Sequence, residues 1–336
     1  MKTTVCITGI AGFIGSRLAL KLASSGKYLV VGIDSLNDYY DLALKQKRLA
    51  EVQAQGIVFH QVNIANLVKV KEVFAKHNPS IVVNLAAEAG VRYSLEQPQA
   101  FVDSNLQGFV NIIECARHGK VKHFVYASSS SVYGLNGLLP INESASSDHP
   151  TSLYAASKKA NESIAHAYAH SLGLPCTGMR FFSVYGPSGR PDMAVWLFTK
   201  KILEGTPVQL FNKGNHTRDL IYIDDLVEII SRIIPKPPKP NKAFNPKKPD
   251  SSISSAPYRV VNLGTGTATS LKDMVHAIEK ALGKKAIIQL LPRQKADSLD
   301  TKCNTKLMIA LTKYKPKVSA QKGIEQFVKW YLKWQH

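Results

Sequence analysis

A tyrosine and a lysine stand four residues apart in a segment with helical periodicity. Tyr154 and Lys158 fall within the predicted helix Ser152–Leu172, where this spacing places both side chains on one face. A tyrosine with an ordinary pKa of about 10 is a weak base at neutral pH, but a nearby positive charge stabilises its phenolate. The pair therefore predicts a tyrosine that exchanges a proton with a substrate hydroxyl.

Consecutive hydroxyl groups end the strand that is predicted before this helix. The strand covers His123–Ser129, and Ser130 and Ser131 follow it directly. A hydroxyl at this position can donate to, or accept from, a substrate oxygen while the tyrosine moves its proton. The spacing of the serines does not by itself select one of them.

A glycine-rich turn follows the first predicted strand. Gly9, Gly12 and Gly15 recur every third residue between the strand Thr3–Thr8 and the helix Phe13–Ser24. Such glycines let the backbone turn tightly and approach a pyrophosphate, which then rests on the helix N-terminus. Asp34 ends the second strand, where a carboxylate can accept from both ribose hydroxyls and would repel a 2′-phosphate. We therefore predict a bound dinucleotide, NAD rather than NADP, whose oxidised nicotinamide would add a second positive charge beside the tyrosine.

Alternating strands and helices position these residues. Several predicted strands are apolar without alternation, as expected for a parallel sheet covered on both faces. The pattern predicts an α/β fold with a doubly wound, Rossmann-type parallel sheet in a domain of residues 1–185. Residues 186–336 are predicted to form a smaller domain that mainly binds substrate, with segments that can return to the first. The further predicted strands are Tyr28–Asp34, Ile57–Ile64, Ile81–Ala87, Pro175–Tyr185, Asp219–Ile223 and Tyr258–Leu263, and the further predicted helices are Asp41–Gln55, Leu67–His77, Pro98–Arg117, Met193–Glu204, Asp224–Ile234, one from Ser270 and Ile324–Trp334.

The glycine spacing and the segment after the fourth strand resemble the extended short-chain dehydrogenases/reductases. Over essentially the whole chain, the sequence is more specifically similar to bacterial and plant UDP-glucuronate 4-epimerases. The segments that carry this resemblance are Leu36–Asp41, Ala89–Ser94, Tyr126–Gly134, Ser152–Asn161, Arg180–Ala194 and Arg218–Asp225.

The resemblance implies a reversible C4 epimerisation of UDP-glucuronate with retained NAD⁺. Dehydratases and decarboxylases of the superfamily place carboxylates just after the catalytic hydroxyl, whereas this chain has Ser130 and Ser131 there. Return of the hydride to a 4-keto intermediate that has rotated is then the simplest outcome. The resemblance also implies Ser129 as the catalytic hydroxyl, 25 residues before Tyr154, and Lys158 as the partner of the tyrosine. The further cofactor contacts that it implies are Phe13, Ile14, Asn63, Ile64, Leu85, Ala86, Ala87 and Lys158.

The substrate contacts are likewise implied by the resemblance. Arg190 corresponds to the arginine that engages the uronate carboxylate, and a guanidinium can grip a carboxylate with two parallel hydrogen bonds. Arg218 would neutralise the diphosphate, although an ion pair with Asp219 or Asp225 is the alternative. The other implied contacts are Arg92, Ser130, Ser131, Ser183, Arg293 and Asp297. Relatives usually have an acidic residue near the adenine at Asn63, Gln at Glu88, Gly at Ala296 and Asp at Asn304. The adenine contact, the uridine contacts and the sugar preference are therefore less constrained.

The chain is basic, and its charge is uneven. It has 336 residues with 45% hydrophobic and 20% charged content, and its net charge is +19. Residues 231–336 hold 21 of the 43 basic side chains but only 6 of the 24 acidic ones. Without aromatic residues interleaved for base stacking, we interpret this charge as a solvated face that attracts an anionic nucleotide-sugar. No nucleic-acid partner and no metal site are expected.

Two other functions stay open. One is a 4-epimerase of neutral or N-acetylated UDP-hexoses, and the other, of a different class, is a non-catalytic nucleotide-sensing or nucleic-acid-binding module. The four cysteines show no metal or disulfide spacing, and no apolar run reaches the roughly 18 residues of a spanning helix. We therefore expect a cytoplasmic protein with no membrane span. The resemblance implies a homodimer and a role in supplying polysaccharide precursors.

Overall fold

The chain divides into two compact units. The computed structural model describes residues 2–292 and 300–335. The first unit comprises Met1–Asn136, Glu143–Arg180 and Val227–Asn262, and the second comprises Gly137–Asn142, Phe181–Leu226 and Leu263–His336. Each unit is therefore assembled from segments that are separated in the sequence.

A seven-stranded sheet organises the first unit. Its strands lie in the order β3-β2-β1-β4-β5-β6-β10, and β1 pairs in parallel with both β2 and β4. This order reverses direction at β1 and is that of the dinucleotide-binding doubly wound folds. The predicted fold class is confirmed. The strands are β1 (Thr3–Thr8), β2 (Tyr28–Asp34), β3 (Val58–Gln61), β4 (Ile81–Asn84), β5 (His123–Ser129), β6 (Cys176–Phe181) and β10 (Tyr258–Leu263).

Shorter sheets occur among the remaining strands. One three-stranded sheet has the order β11-β9-β7, in which β9 is parallel to β7 and antiparallel to β11. A two-stranded sheet pairs β8 and β12 in parallel. These strands are β7 (Ser183–Tyr185), β8 (Val208–Leu210), β9 (Thr217–Tyr222), β11 (Ala268–Ser270) and β12 (Ile288–Leu290).

Side-chain caps mark the start of several helices. The side chains of Asp41, Asn66, Ser152 and Ser270 each accept a hydrogen bond from a backbone N–H in the first turn of the helix that follows, which satisfies donors that the helix itself cannot. The helices are α1 (Phe13–Ser24), α2 (Leu42–Gln53), α3 (Leu67–His77), α4 (Tyr93–Glu96), α5 (Pro98–Phe101), α6 (Phe109–His118), α7 (Leu153–Leu172), α8 (Ala194–Glu204), α9 (Ile223–Ile233), α10 (Leu271–Leu282), α11 (Lys306–Thr312) and α12 (Ala320–Gln335).

Two predicted elements differ from the structure in more than the residues at which they begin and end. The predicted strand Pro175–Tyr185 is two strands of different sheets, separated at Phe182, whose N–H donates to the carbonyl of Leu263. The predicted helix Pro98–Arg117 contains a π-helical stretch, Val102–Gly108, between α5 and α6. The carbonyl of Asn105 within this stretch accepts a hydrogen bond from the side chain of Asn161 at 2.6 Å, so it serves a partner outside its own helix.

Candidate functional site

The first turn of α7 carries Tyr154, and the second turn carries Lys158. Ser152 caps the helix by accepting from the N–H of Ala155 at 3.1 Å. Because the N-terminus of a helix bears a partial positive charge, a phenolate in its first turn is favoured there. Tyr154 is half-buried, and Phe101 lies edge-on to its ring with the centroids 6.3 Å apart.

Lys158 is buried, and its positive charge is not paired with a carboxylate in the described part of the chain. Among the described residues, its Nζ donates one hydrogen bond, to the carbonyl of Ala127 at 3.1 Å, and the residue is 4% exposed. Burial lowers the pKa of this ammonium from 10.5 to about 8. At neutral pH the group is still mainly protonated, so it places a buried positive charge on the helix of Tyr154, and such a charge stabilises a nearby anion.

A tight turn at the end of β5 holds the serines. Ser129 precedes a 3₁₀ turn, Ser130–Tyr133, and its Oγ accepts from the N–H of Ser131 at 3.1 Å. The hydroxyl hydrogen of Ser129 can therefore still be donated. α7 packs against both β5 and this turn, so the tyrosine, the lysine and the three serines belong to contacting elements of the first unit.

The glycine turn after β1 forms a cradle that side chains would fill. Gly9 has a φ of +72°, and a Cβ there would lie 2.8 Å from the N of Ala86. A Cβ on Gly15 would lie 2.1 Å from the carbonyl oxygen of Gly9. Gly12 then caps α1, whose first N–H groups, at Phe13 and Ile14, have no acceptor within the helix. This backbone fits a bound pyrophosphate.

The ends of β2 and β4 border the cradle. Asp34 is 9% exposed, and its two carboxylate oxygens accept from the N–H groups of Ala11 (3.0 Å) and Leu36 (2.9 Å). The hydroxyl of Thr8 donates to Asn84 at 2.6 Å and accepts from the N–H of Ala86 at 3.1 Å. These bonds fix a carboxylate and the Leu85–Ala87 segment beside the glycines, where the residues present fit a dinucleotide.

Other predicted residues of the first unit lie on its loops. Asn63 is exposed and follows β3, and its Oδ1 accepts from the N–H of Ala65, whereas Ile64 is buried. Arg92 is exposed just before α4. The carboxylate of Glu88 accepts a hydrogen bond from the side chain of Asn37, which in turn accepts from the ammonium of Lys45.

Arg190 lies in the second unit and engages a carboxylate of its own chain. Its Nε donates to Asp192 Oδ1 at 3.0 Å, and its Nη2 is paired with Asp192 Oδ2. Arg190 lines a small pocket with residues that include Trp196 and Phe327. The guanidinium thus adopts the side-on carboxylate geometry that the uronate prediction requires, with Asp192 as the carboxylate.

The structure describes some of the remaining predicted substrate residues and leaves others undescribed. Ser183 begins β7 and is half-buried, and Arg218 in β9 donates to the carbonyl of Thr217 at 2.9 Å. The carboxylate of Asp219 accepts from the N–H groups of Thr265, Gly266 and Cys303. Asp225 accepts from the Tyr314 hydroxyl and from two backbone N–H groups. Arg293 and Asp297 lie outside the described residues.

Sequence reasoning did not find Asn105. Its side chain accepts from the N–H of Glu88 at 2.8 Å and donates to the carbonyl of Glu88 and to the hydroxyl of Ser157, each at 3.0 Å. It thereby ties the loop after β4 to the helix of Tyr154. The only local signal was an asparagine on the apolar face of a predicted helix.

The described residues also limit other kinds of site. They contain no group of three or more His, Cys, Asp or Glu side chains suited to a metal ion. None of the helices among them has both the length and the apolar character needed to cross a bilayer. The four cysteines are buried, and burial raises the pKa of Cys115 to about 11.

Known proteins resemble the chain along nearly its full length. It is 47% identical to Protein CapI of Staphylococcus aureus over 330 residues, which cover 98% of each chain. It is 43% identical to a probable UDP-glucuronate 4-epimerase of Rhizobium meliloti, over 97% of this chain and 96% of the relative. Its structure matches that of a UDP-glucuronic acid 4-epimerase from Bacillus cereus, in complex with UDP-glucuronic acid and NAD, with a TM-score of 0.87 and 29% identity over 99% and 100% of the two chains.

A family profile agrees with these relatives. The NAD dependent epimerase/dehydratase family matches residues 5–245, a span that contains the glycine cradle, the serine turn, Tyr154 and Lys158. The chain therefore belongs to the NAD dependent epimerase/dehydratase family.

Proposed function

We propose that the protein interconverts UDP-glucuronate and UDP-galacturonate by epimerisation at C4, using NAD⁺ that it retains. The observation that carries this proposal is the buried Lys158 on the helix of Tyr154, in contact with a strand end that offers serine hydroxyls. Relatives that are named UDP-glucuronate 4-epimerase and a matching structure that holds UDP-glucuronic acid and NAD support the substrate and the cofactor.

The glycine cradle and Asp34 would hold the dinucleotide. The N–H groups at the start of α1 would bind its pyrophosphate, and the Asp34 carboxylate would accept from the adenosine ribose. The same carboxylate would repel the 2′-phosphate of NADP. When bound, NAD⁺ supplies the reversible hydride acceptor that the epimerisation needs.

The side chains of the first unit would move the proton. Tyr154 takes the proton of the C4 hydroxyl as that carbon is oxidised, and it returns the proton when the 4-keto sugar is reduced on its other face. Lys158 stabilises the phenolate form of Tyr154, and Ser129 donates a hydrogen bond to the C4 oxygen. Ser130 and Ser131 contact the sugar.

The side chains of the second unit would recognise the anionic parts of the substrate. Arg190 would bind the uronate carboxylate, and Arg218 would neutralise the diphosphate. Fixing the nucleotide while the 4-keto sugar rotates makes the rotation productive instead of a route of escape. On this proposal, residues 1–185 mainly bind the dinucleotide and residues 186–336 mainly bind the UDP-sugar.

Incubation of the purified protein with UDP-glucuronate, followed by chromatographic separation of the sugars, tests the proposal. UDP-galacturonate should form without added NAD, because the cofactor is retained. Parallel incubations with UDP-glucose and UDP-N-acetylglucosamine test the neutral-sugar alternative. Protein that contains NAD but epimerises only a neutral sugar would overturn the substrate assignment, and no epimerisation of any of them would overturn the activity.

We also propose a cytoplasmic homodimer that does not use nucleic acid as a partner. Val102 and Val110 are exposed on the helical segment before β5, which supports pairing of this segment and α7 with their counterparts in a second copy. The buried thiols support a reducing compartment. Light scattering after size exclusion would give twice the mass of the chain for a dimer, and the mass of one chain would contradict it.

A further inference from the structure

A completely buried arginine is paired with a buried glutamate beside the serine turn. Arg180, near the end of β6, donates to Glu162 of α7 through Nε and Nη2, with both distances 2.8 Å. Arg180 is 0% exposed and Glu162 is 3% exposed. Taking two charges out of water costs about as much as their attraction returns, so such a pair adds little net stability. The effect of the ion pair is instead to hold neighbouring residues in place.

Further hydrogen bonds join this ion pair to both ends of the serine turn. Glu162 Oε1 also accepts from the hydroxyl of Ser128 at 2.6 Å, and Ser128 directly precedes Ser129. Arg180 Nη1 donates to the hydroxyl of Tyr133 at 3.0 Å, and Tyr133 is the last residue of the turn. The Tyr133 hydroxyl then donates to Asn262 Oδ1 at 2.6 Å.

The same ion pair reaches the helix of the proton-transfer residues. Glu162 lies four residues after Lys158 and eight after Tyr154 along α7, so all three lie close to one face of the helix. Arg180 also donates to the backbone carbonyl of Glu143 at 2.8 Å. The side-chain carboxylate of Glu143 in turn accepts from the N–H of Asn262 at 3.0 Å. Every member of this cluster is buried, and such a satisfied buried network is rigid.

We propose that Arg180 and Glu162 are positioning residues for the epimerisation. Acting through Ser128 and Tyr133, they fix Ser129, Ser130 and Ser131 relative to the face of α7 that bears Tyr154 and Lys158. The inference rests on the proposed function for the identity of the reaction, whereas the placement of the turn can be measured without any substrate.

Deleting the two hydroxyls that link the turn to the ion pair is the most direct test. Ser128→Ala, Tyr133→Phe and the double variant leave Arg180 paired with Glu162, so the charges stay compensated. Because a displacement of about 1 Å can cost about 100-fold in rate, we expect kcat to fall about 3- to 10-fold in each single variant and about 100-fold in the double variant. KM for UDP-glucuronate should change less than kcat, and the content of bound NAD should stay constant.

Thr177→Val is the matched control. Its hydroxyl is also buried and is bonded to His123 Nε2 at 2.8 Å, but His123 begins β5, about 20 Å from Ser129 at 3.3 Å per residue. A loss of kcat in Thr177→Val equal to that of Ser128→Ala, at a similar fall in Tm, would show that general loosening explains the effect. A double variant with the kcat of the wild type would also overturn the proposal.

Crystal structures of the NAD-bound variants separate this proposal from the proposed function. We expect Ser129–Ser131 to be displaced by about 0.5 Å or more in the double variant, the tolerance of a productive site, and to be unmoved in Thr177→Val. An unmoved turn in the double variant would refute positioning even if the wild type epimerises UDP-glucuronate. A displaced turn in a protein that does not epimerise any UDP-sugar would support positioning and reject the function.

Discussion

Replacing Lys158 with methionine should stabilise the folded protein and remove most of its turnover. The ammonium is buried with one carbonyl, that of Ala127, as its hydrogen-bond acceptor among the described residues. Methionine fills a similar volume without a charge. The same change removes the positive charge that would stabilise the phenolate of Tyr154, so we expect kcat to fall about 10²- to 10⁴-fold.

The size of the stabilisation follows from the pKa of Lys158. Burial lowers this pKa from 10.5 to about 8, which corresponds to roughly 3 kcal/mol of penalty on the charged form at 1.36 kcal/mol per pKa unit. The lost hydrogen bond leaves the Ala127 carbonyl without this donor and costs about 1–2 kcal/mol. We therefore expect the free energy of unfolding of the NAD-free protein to rise by about 1–2 kcal/mol at pH 7.

The pH dependence of this gain has a definite sign. Between pH 8 and 10.5 the unfolded chain keeps the proton of Lys158, whereas the folded protein has lost it. The unfolded state then binds more protons, so the stability of the wild type rises with pH over this interval relative to that of Lys158→Met. The advantage of methionine is complete below pH 8 and falls by up to about 1.4 kcal/mol per pH unit above it. It is therefore lost at about pH 9 to 9.5, and the wild type is the more stable protein near pH 10.5 because it keeps the hydrogen bond to Ala127. Urea unfolding of both proteins at pH 7, 8, 9 and 10 measures this dependence.

Lys159→Met is the control for this experiment. Lys159 is the next residue of α7, but its side chain is 27% exposed, and it donates to the hydroxyl of Ser147 at 2.6 Å. Its replacement should not raise the free energy of unfolding and should leave turnover near that of the wild type. If Lys158→Met is less stable than the wild type at pH 7, or if its advantage is independent of pH, the description of Lys158 as an uncompensated buried charge is wrong.

Four further variants test other parts of the site. Tyr154→Phe should fold and keep its NAD but lose about 10²- to 10⁴-fold in kcat, and turnover like that of the wild type would reject its role as the base. Arg190→Ala should raise KM for UDP-glucuronate about 10-fold or more, with little effect on a neutral UDP-hexose, whereas Asp192→Asn should lower that KM by removing a competing carboxylate; a higher KM in Asp192→Asn would mean that Asp192 orients the arginine. Gly15→Ala should reduce both the NAD content and Tm, because its Cβ would lie 2.1 Å from the Gly9 carbonyl oxygen, and unchanged NAD content would contradict the cradle.

Local signals in the sequence were sufficient for several strands of the large sheet. The strands Thr3–Thr8, Tyr28–Asp34 and His123–Ser129 have the predicted bounds, because continuous apolar residues buried on both faces leave little freedom in where a strand lies. The prediction of a single strand over Pro175–Tyr185 is wrong because one apolar run contributes strands to two different sheets. The partner of its second part, β9, lies more than 30 residues further along the chain, and no local pattern reports it.

In the candidate site, too, local patterns predict the placement of some residues and not of others. The glycines act on their own backbone, and Tyr154 and Lys158 share one helix, so their spacing alone predicts how they are placed. Arg190 was predicted as a contact of the substrate, but its pairing with Asp192 depends on the path of the loop that joins them. Asn105 and Arg180 act on residues 17 and 18 positions away, and each is visible in the sequence only as a polar residue within an apolar stretch.

Two buried cations near the end of β5 are treated in opposite ways. Burial alone would lower the pKa of Arg180, but its hydrogen bonds to Glu162 and the charge of that carboxylate raise the pKa above its usual value. Lys158, one helical turn before Glu162, is not paired with a carboxylate in the described part of the chain, and burial lowers its pKa. Arg180 is therefore charged at every relevant pH, and the carboxylate of Glu162, in the same unit, is its counter-charge. The ammonium of Lys158 has no such counter-charge among the described residues. A phenolate at Tyr154, on the same face of α7, would supply one. The pairing of one cation and the lack of a carboxylate partner for the other together favour ionisation of the tyrosine.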